Sequence, residues 1–161
     1  MIRKAKIQEV PEIRRFLADR EQHGLLPRSL AYIYSYLRDF WVCREGVVGD
    51  GPLIGLAAMH LCWEGLGEIR SLVVQEGYQK QGVGRNLVEW CLSEAKVQDI
   101  ERVFLLTTIP EYFQRFGFKV VSREDLHPVV WHDCIACIKF TSCDEIPMLL
   151  ELAECSPSPR W

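Results

Sequence analysis

Residues 67–84 read GEIRSLVVQEGYQKQGVG, and residues 85–95 continue as RNLVEWCLSEA. Glu68 to Val74 is rich in Ile, Leu and Val and reads as a β-strand. Gln75 to Gly84 is polar and carries Gly82 and Gly84 one residue apart. From Arg85 onward, Leu87, Val88, Cys91, Leu92 and Ala95 recur at helical spacing. A strand, a glycine turn and a helix start form a site for an anion, because unbonded backbone N–H groups and the positive end of the helix dipole face the same space. The loop lacks the Gly-Lys-Ser/Thr ending of a nucleotide-phosphate loop and the three spaced glycines of a dinucleotide fold.

The rest of the composition narrows the choices. A chain of 161 residues has the length of one domain, so residues 1–161 are expected to form a single unit with a sizeable core. With 48% hydrophobic and 25% charged residues, the sequence is neither disordered nor fibrous. A net charge of −3 gives no global field for nucleic acid or an anionic membrane, so an anionic ligand must be held by local groups. No apolar run approaches the ~20 residues of a membrane span. The N-terminal MIRKAKIQEV lacks the apolar segment of a signal peptide, and the seven cysteines are then expected as reduced thiols in the cytoplasm.

Around the central stretch the chain alternates helices and strands. Ile2 to Lys6 is a candidate strand, and Gln8 to Gln22 a helix with Val10, Ile13, Phe16 and Leu17 on one face and Pro11 in its first turn. Ser29 is a candidate N-cap for a helix Leu30 to Arg38, with Leu30, Ile33, Tyr34 and Leu37 inward. Phe40 to Glu45 is a strand, and Leu53 to Trp63 a continuous apolar strand expected to be buried on both faces. Arg102 to Thr107 is another buried strand, Pro110 to Phe116 a short helix stopped by Gly117, and Phe118 to Val121 and Ile146 to Leu152 complete the strands.

Gln79-Lys80-Gln81-Gly82-Val83-Gly84 fits the Gln/Arg-x-x-Gly-x-Gly/Ala loop of the GNAT N-acetyltransferases, and with the Tyr112-Phe113-x-x-Phe116-Gly117-Phe118 segment the chain resembles that family over almost its whole length. The resemblance implies an α/β (α+β) fold: a mixed central sheet, splayed at the acetyl-CoA site, with flanking helices. A narrower resemblance rests on Leu25 to Ser29, on Gly67 to Val74 and on Val103 to Phe118. These stretches are similar to the acetyltransferase domain of bacterial N-acetylglutamate synthases, which acetylate the α-amine of L-glutamate and open arginine biosynthesis. The sequence starts directly at this domain, so a stand-alone short form is expected.

The resemblance assigns roles to residues of this chain. Leu72, Val73 and Val74 would pair with the pantetheine arm of acetyl-CoA, and a backbone N–H at Val73 or Val74 would meet the thioester oxyanion. Gln79, Lys80, Gln81, Gly82, Val83, Gly84 and Arg85 would cradle its pyrophosphate, with a solvated loop face as the alternative for Lys80 and Arg85. Glu68 would be the base that deprotonates the acceptor amine. Many members place a proton-donating tyrosine four residues before the Gly-Phe pair; here Phe113 stands there, a further cofactor-contacting candidate, as in the synthase-like sequences. Tyr112 is then the remaining candidate acid. A dicarboxylate acceptor needs cations or hydrogen-bond donors, and Arg28, Arg70, Thr107 and Thr108 are the candidates, with strand capping as the alternative for the threonines.

Other readings stay open at this level. The same fold could act on another amino acid, a small amine or a protein N-terminus, or serve as a non-enzymatic acetyl-CoA-binding module. Homodimers through sheet edges are common in the fold. Cys134, Cys137 and Cys143 with His127 or His132 have zinc-like spacing, but without a second Cys-x-x-Cys pair a packed, metal-free region is the expectation.

Overall fold

The computed structural model describes residues 1–21, 27–132 and 143–152. In chain order the elements are β1 (Ile2–Lys4), α1 (Val10–Ala18), α2 (Leu30–Ser35), β2 (Phe40–Arg44), β3 (Leu53–Trp63), β4 (Leu66–Val74), α3 (Val83–Val97), β5 (Arg102–Thr107), α4 (Pro110–Gln114), β6 (Lys119–Val120) and β7 (Ile146–Glu151). The strands form one mixed sheet in the order β1-β2-β3-β4-β5-β7-β6, as the α/β expectation required. The chain divides into two compact units, Met1–His60 with Ile69–Glu94, and Leu61–Glu68 with Ala95–Trp161.

In the first unit β1, β2 and β3 are antiparallel neighbours, with a register shift between Cys43 and Arg44. Val10, Ile13, Phe16 and Leu17 of α1, Ile33 of α2, Phe40 and Val42 of β2, Leu53, Leu56 and Ala58 of β3 and Val73 of β4 form its core. The long apolar strand β3 is buried from Leu53 to Met59, and from His60 onward exposure begins to alternate, so the expectation of burial on both faces holds for its first part alone. Cys43 of β2 and Cys91 of α3 are both buried, which pushes both thiols up, Cys91 to about 12.

The helix after Ser29 is shorter than its sequence pattern suggested. The Ser29 hydroxyl accepts from Tyr32 N at 3.0 Å, the cap expected there. The helix stops at Ser35, and a 3-10 turn Leu37–Asp39 follows. Its inward face is also rotated. Ile33 is fully buried, but Leu30 and Tyr34 are about half exposed, at 47% and 49%, while Tyr32 and Leu37 pack against the core. Tyr32 and Tyr36, one turn apart, associate with ring centroids 4.8 Å apart, but Tyr36 is itself exposed, so the covered face is that of Tyr32, Ile33 and Leu37.

The second unit is built on β5. Its parallel pairing with β4 runs Leu66↔Arg102, Gly67↔Val103, Glu68↔Phe104, and β4 continues to Val74 past that last pair. β7 is antiparallel to β5 from Thr107↔Ile146 to Arg102↔Glu151, and β6 pairs with β7. Leu66, Phe104, Leu126 and Val130 form the core of this unit. Gly117, at φ +92°, follows α4, where a positive φ favours glycine.

A buried ion network ties the strands of the first unit to α1. Arg44, 8% exposed, donates from Nε to Glu9 Oε1 at 2.7 Å and from Nη1 to Gly51 O at 3.1 Å, and it pairs with Glu12. Glu9 also receives two bonds from Arg3, at 2.9 and 2.8 Å, and one from the Lys6 amide at 2.6 Å. The Arg3 hydrogen bonds, with those from Lys6 and Arg44, hold the Glu9 carboxyl down at about 2 against the opposing effect of burial. A carboxyl depressed on folding stabilises the fold above its unfolded value and loses that contribution as pH falls through the folded one. We therefore expect stability to drop by roughly 3 kcal/mol between pH ~4.5 and ~2 in urea titrations at stepped pH. In Glu9→Gln that slope should be absent and neutral-pH stability lower by a few kcal/mol, because Arg44 keeps a weakened buried partner.

Candidate functional site

The central strand β4 changes backbone conformation halfway along. Ser71 lies in the left-handed region at φ +53° inside the strand, a conformation that costs of order 1 kcal/mol for a residue with a side chain. Ahead of it, Glu68 and Arg70 are half-buried on either side of buried Ile69; beyond it, Val73 is 9% exposed and joins the core. The strand end is fixed where Gln75 N donates to Ile54 O of β3 at 2.8 Å. Leu72, Val73 and Val74 thus lie between a backbone break and an anchored end.

The glycine loop follows directly. A 3-10 turn at Glu76–Tyr78 leads to Gln79, whose Nε2 donates back to Val74 O at 3.3 Å, and Gln81 Nε2 donates to Gly77 O at 3.1 Å. Lys80 at φ +60° and Gly82 at φ +84° make the reversal into α3. The first helical bond runs from Asn86 N to Gly82 O at 2.9 Å. The amides of Val83, Gly84 and Arg85 therefore lie in the first turn, with no acceptor one turn back, at the positive end of a 15-residue helix. A Cβ on Gly82 would meet nothing within 4 Å, so φ is what demands glycine and the space over the turn is open. This donor set fits a pyrophosphate. Arg85 pairs with Glu89 along the helix at 3.0 Å on an exposed face, closer to the solvated alternative than to a dedicated ligand.

Gly55 of β3 permits the close approach beneath this turn. A Cβ there would lie 3.1 Å from Val73 O, 3.1 Å from Val83 Cγ1 and 3.2 Å from Leu87 Cδ1. Strand end and helix start converge over this one position, a glycine set inside an apolar run of the sequence.

Two of the expected acceptor-binding residues come together in the first unit, through a residue not anticipated from sequence. The Arg28 guanidinium lies over the Tyr32 ring, 4.4 Å from its centroid. Arg70 Nη1 donates to the Tyr32 hydroxyl at 2.8 Å. Tyr32 thus gathers Arg28 from the loop before α2 and Arg70 from β4. The i, i+4 spacing of Arg28 and Tyr32 was the available signal. The cluster extends on through Tyr36, whose ring meets His60 edge-on at 4.9 Å, and His60 Nδ1 lies 2.6 Å from Asp39 Oδ2.

The remaining expected residues belong to the second unit. Glu68 is half-buried at the last β4–β5 pair. Thr107 is buried and its Oγ1 accepts from Ile109 N at 3.0 Å, the local capping arrangement, while Thr108 is exposed. Phe113 is 6% exposed and packs with Tyr112, Phe116 and Phe118. Burial pushes the Tyr112 phenol above its usual value, with Arg115 opposing. Of the zinc-like group, Cys134 and Cys137 lie outside the described residues; His127 stacks on Trp63 at 4.9 Å and accepts from Val129 N at 3.1 Å. Among the described residues no cluster of three or more ligating side chains could hold a metal.

Comparison with known proteins agrees with this geometry. The model of the acetyltransferase (GNAT) family matches residues 10–118. An uncharacterized N-acetyltransferase of Chlorobaculum tepidum is 34% identical over 152 residues, 94% of this chain and 96% of that protein. An amino-acid acetyltransferase of Mycobacterium tuberculosis is 32% identical over 122 residues, 76% of this chain and 70% of that one. Among solved structures, N-acetylglutamate synthase from Neisseria gonorrhoeae, complexed with coenzyme A and N-acetyl-glutamate, superimposes with a TM-score of 0.84 at 27% identity, over 96% of this chain and 35% of that one.

The glycine positions differ in what they tolerate. Gly55→Val is expected to destabilise by ~1–3 kcal/mol through overpacking. Gly82→Val is expected to cost about 1–2 kcal/mol through its left-handed backbone alone, and Lys80→Gly to be neutral or slightly stabilising. Chemical denaturation of the three variants checks the order.

Proposed function

Because this chain belongs to the GNAT acetyltransferase family, we propose that it moves the acetyl group of acetyl-CoA to the α-amine of L-glutamate, the first step of arginine biosynthesis, in the cytoplasm. The observation that carries the acceptor class is the pair of guanidinium groups gathered on Tyr32, Arg28 over its ring at 4.4 Å and Arg70 on its hydroxyl at 2.8 Å. Two guanidiniums held on one rigid aromatic side chain match an acceptor with two carboxylates, since each meets a carboxylate with paired hydrogen bonds. Relatives named amino-acid acetyltransferases support the same class.

Each step falls to a residue of this chain. The first-turn amides of α3 and the Gln79 to Gly84 loop hold the pyrophosphate of acetyl-CoA, and the backbone of Leu72 to Val74 pairs with its pantetheine arm. Arg28 and Arg70 hold the acceptor carboxylates, and Glu68 takes a proton from the ammonium, directly or through a water. The amine nitrogen attacks the thioester carbonyl, whose developing oxyanion is met by a β4 amide at Val73 or Val74. The C–N bond forms and the C–S bond breaks, the nitrogen gives up its second proton to solvent as the amide forms, and the thiolate, a fair leaving group near neutral pH, takes a proton from solvent or from Tyr112, which solvent then reprotonates. No covalent enzyme intermediate is required.

The test is incubation with acetyl-CoA and the twenty amino acids, with products read by mass spectrometry. Acetylglutamate should dominate. Arg28→Ala should raise the glutamate KM at least ~10-fold with the acetyl-CoA KM unchanged, and Glu68→Gln should lower kcat by about 10²-fold. A different dominant product moves the acceptor and keeps the chemistry. Binding of acetyl-CoA with no product from any amino acid favours a peptide acceptor or a non-enzymatic module.

A further inference from the structure

Outside the roles assigned above, the first unit contains a line of side-chain contacts that ends at Arg28 and Arg70. Asp39, in the turn after α2, lies 2.6 Å through Oδ2 from Nδ1 of His60 on β3. Both side chains are largely covered, at 19% and 17% exposure. A carboxylate on Nδ1 fixes the tilt of an imidazole and its tautomer at that nitrogen. The fixed ring meets Tyr36 edge-on, with centroids 4.9 Å apart and planes at 86°. Tyr36 packs on Tyr32 at 4.8 Å. Tyr32 then carries Arg28 on its face and Arg70 on its hydroxyl.

α2 has a cap and an anchor apart from this line of contacts. That helix is capped by Ser29 and anchored by fully buried Ile33, and its C-terminal residue Tyr36 already departs from helical geometry at φ −113°, ψ 23°. At such an end the Tyr36 ring has one helical neighbour, Tyr32 one turn back, and a second contact is needed to fix the pair in one place. The strand residue His60 supplies the missing constraint from outside the helix.

We propose that Asp39 and His60 are positioning residues for the acceptor: the imidazole, fixed by the carboxylate, sets the Tyr36 ring, which sets Tyr32 and through it the placement of the Arg28 and Arg70 guanidiniums. The inference deepens the acceptor reading given above and rests on it for the identity of the substrate, but its structural part stands on the contacts alone. Neither residue touches the reacting atoms. Loss of the pair weakens acceptor binding and leaves acetyl-CoA binding and the chemical step in place.

The test combines kinetics with aromatic NMR on the full chain. His60→Ala should raise the glutamate KM about tenfold, the size expected for losing an aromatic contact and the order it imposes, with kcat and the acetyl-CoA KM within about twofold. Asp39→Ala should do the same, and Asp39→Asn, which keeps an acceptor oxygen, should restore most of the affinity. The Tyr32 and Tyr36 ring signals should shift in His60→Ala, and the effects of His60→Ala and Arg28→Ala on glutamate KM should be less than additive in a double-mutant cycle. Additive effects with unmoved Tyr32 signals would overturn the proposal, as would an unchanged glutamate KM. Should His60→Ala fail to fold, Tyr36→Leu breaks the same line one step later and carries the same expectations. If the wild-type protein acetylates no dicarboxylic amino acid, the substrate reading fails, and the Tyr32 ring signals in the variant alone decide whether the positioning line exists.

Discussion

The contact on which the rest of the first unit depends is the seating of α3 against β3 and β4, and it exists because residue 55 has no side chain. With Val73 O, Val83 Cγ1 and Leu87 Cδ1 all within 3.1 to 3.2 Å of where a Cβ would stand, even a methyl group there would require these neighbours to give by a few tenths of an ångström. Seated there, α3 buries Leu87, Val88 and Cys91 completely and presents its first turn at the end of β4. The glycine loop is short because the two ends it joins are already held together, one by Gly55 and the other by the Gln75 amide on Ile54 O. Anion-binding amides at a helix start are useful only if the helix cannot retreat from a charged ligand, and close packing supplies that resistance.

Arginines in the same unit are held in two chemically different ways. Arg44 is enclosed by the carboxylates of Glu9 and Glu12, so its charge is compensated within the fold and serves to lock α1 onto β2. Arg28 rests on the face of a tyrosine and, among the described residues, has no carboxylate in ion-pair range. An aromatic face holds a guanidinium in position while leaving its hydrogen-bonding edge and its charge for a ligand. The first arrangement is what a structural cation needs, the second what a recognition cation needs.

How much of this could be read from sequence depended on how local each feature is. β3 at Leu53–Trp63 and β5 at Arg102–Thr107 matched their apolar runs residue for residue, and α3 buried most of the face its spacing marked, because an unbroken run or a 3.6-residue period is a local signal. The α2 face departs from its sequence pattern because a six-residue helix gives too few turns to define a stripe, and Tyr32 packs on the core while Leu30 stays exposed. The Glu9–Arg44 pair spans 35 residues, and nothing near either residue announces the other. Ser71 has no intrinsic preference for positive φ, so the break in β4 left no mark in composition. Arg28 and Arg70 were each legible as single candidates; that one tyrosine joins them is a fact of tertiary structure.

The buried cysteines acquire a meaning from the chemistry proposed for this fold. Each turnover of a CoA-dependent transfer liberates a thiol, and a thiol pool that oxidises becomes a supply of disulfides able to attach to any accessible thiolate. Cys91 is held almost entirely as the neutral thiol at physiological pH, and both it and Cys43 are shut away from solvent, so neither presents the anion that such exchange requires. The packing that seats α3 beside the sheet thereby also makes the helix chemically inert toward the product released next to it.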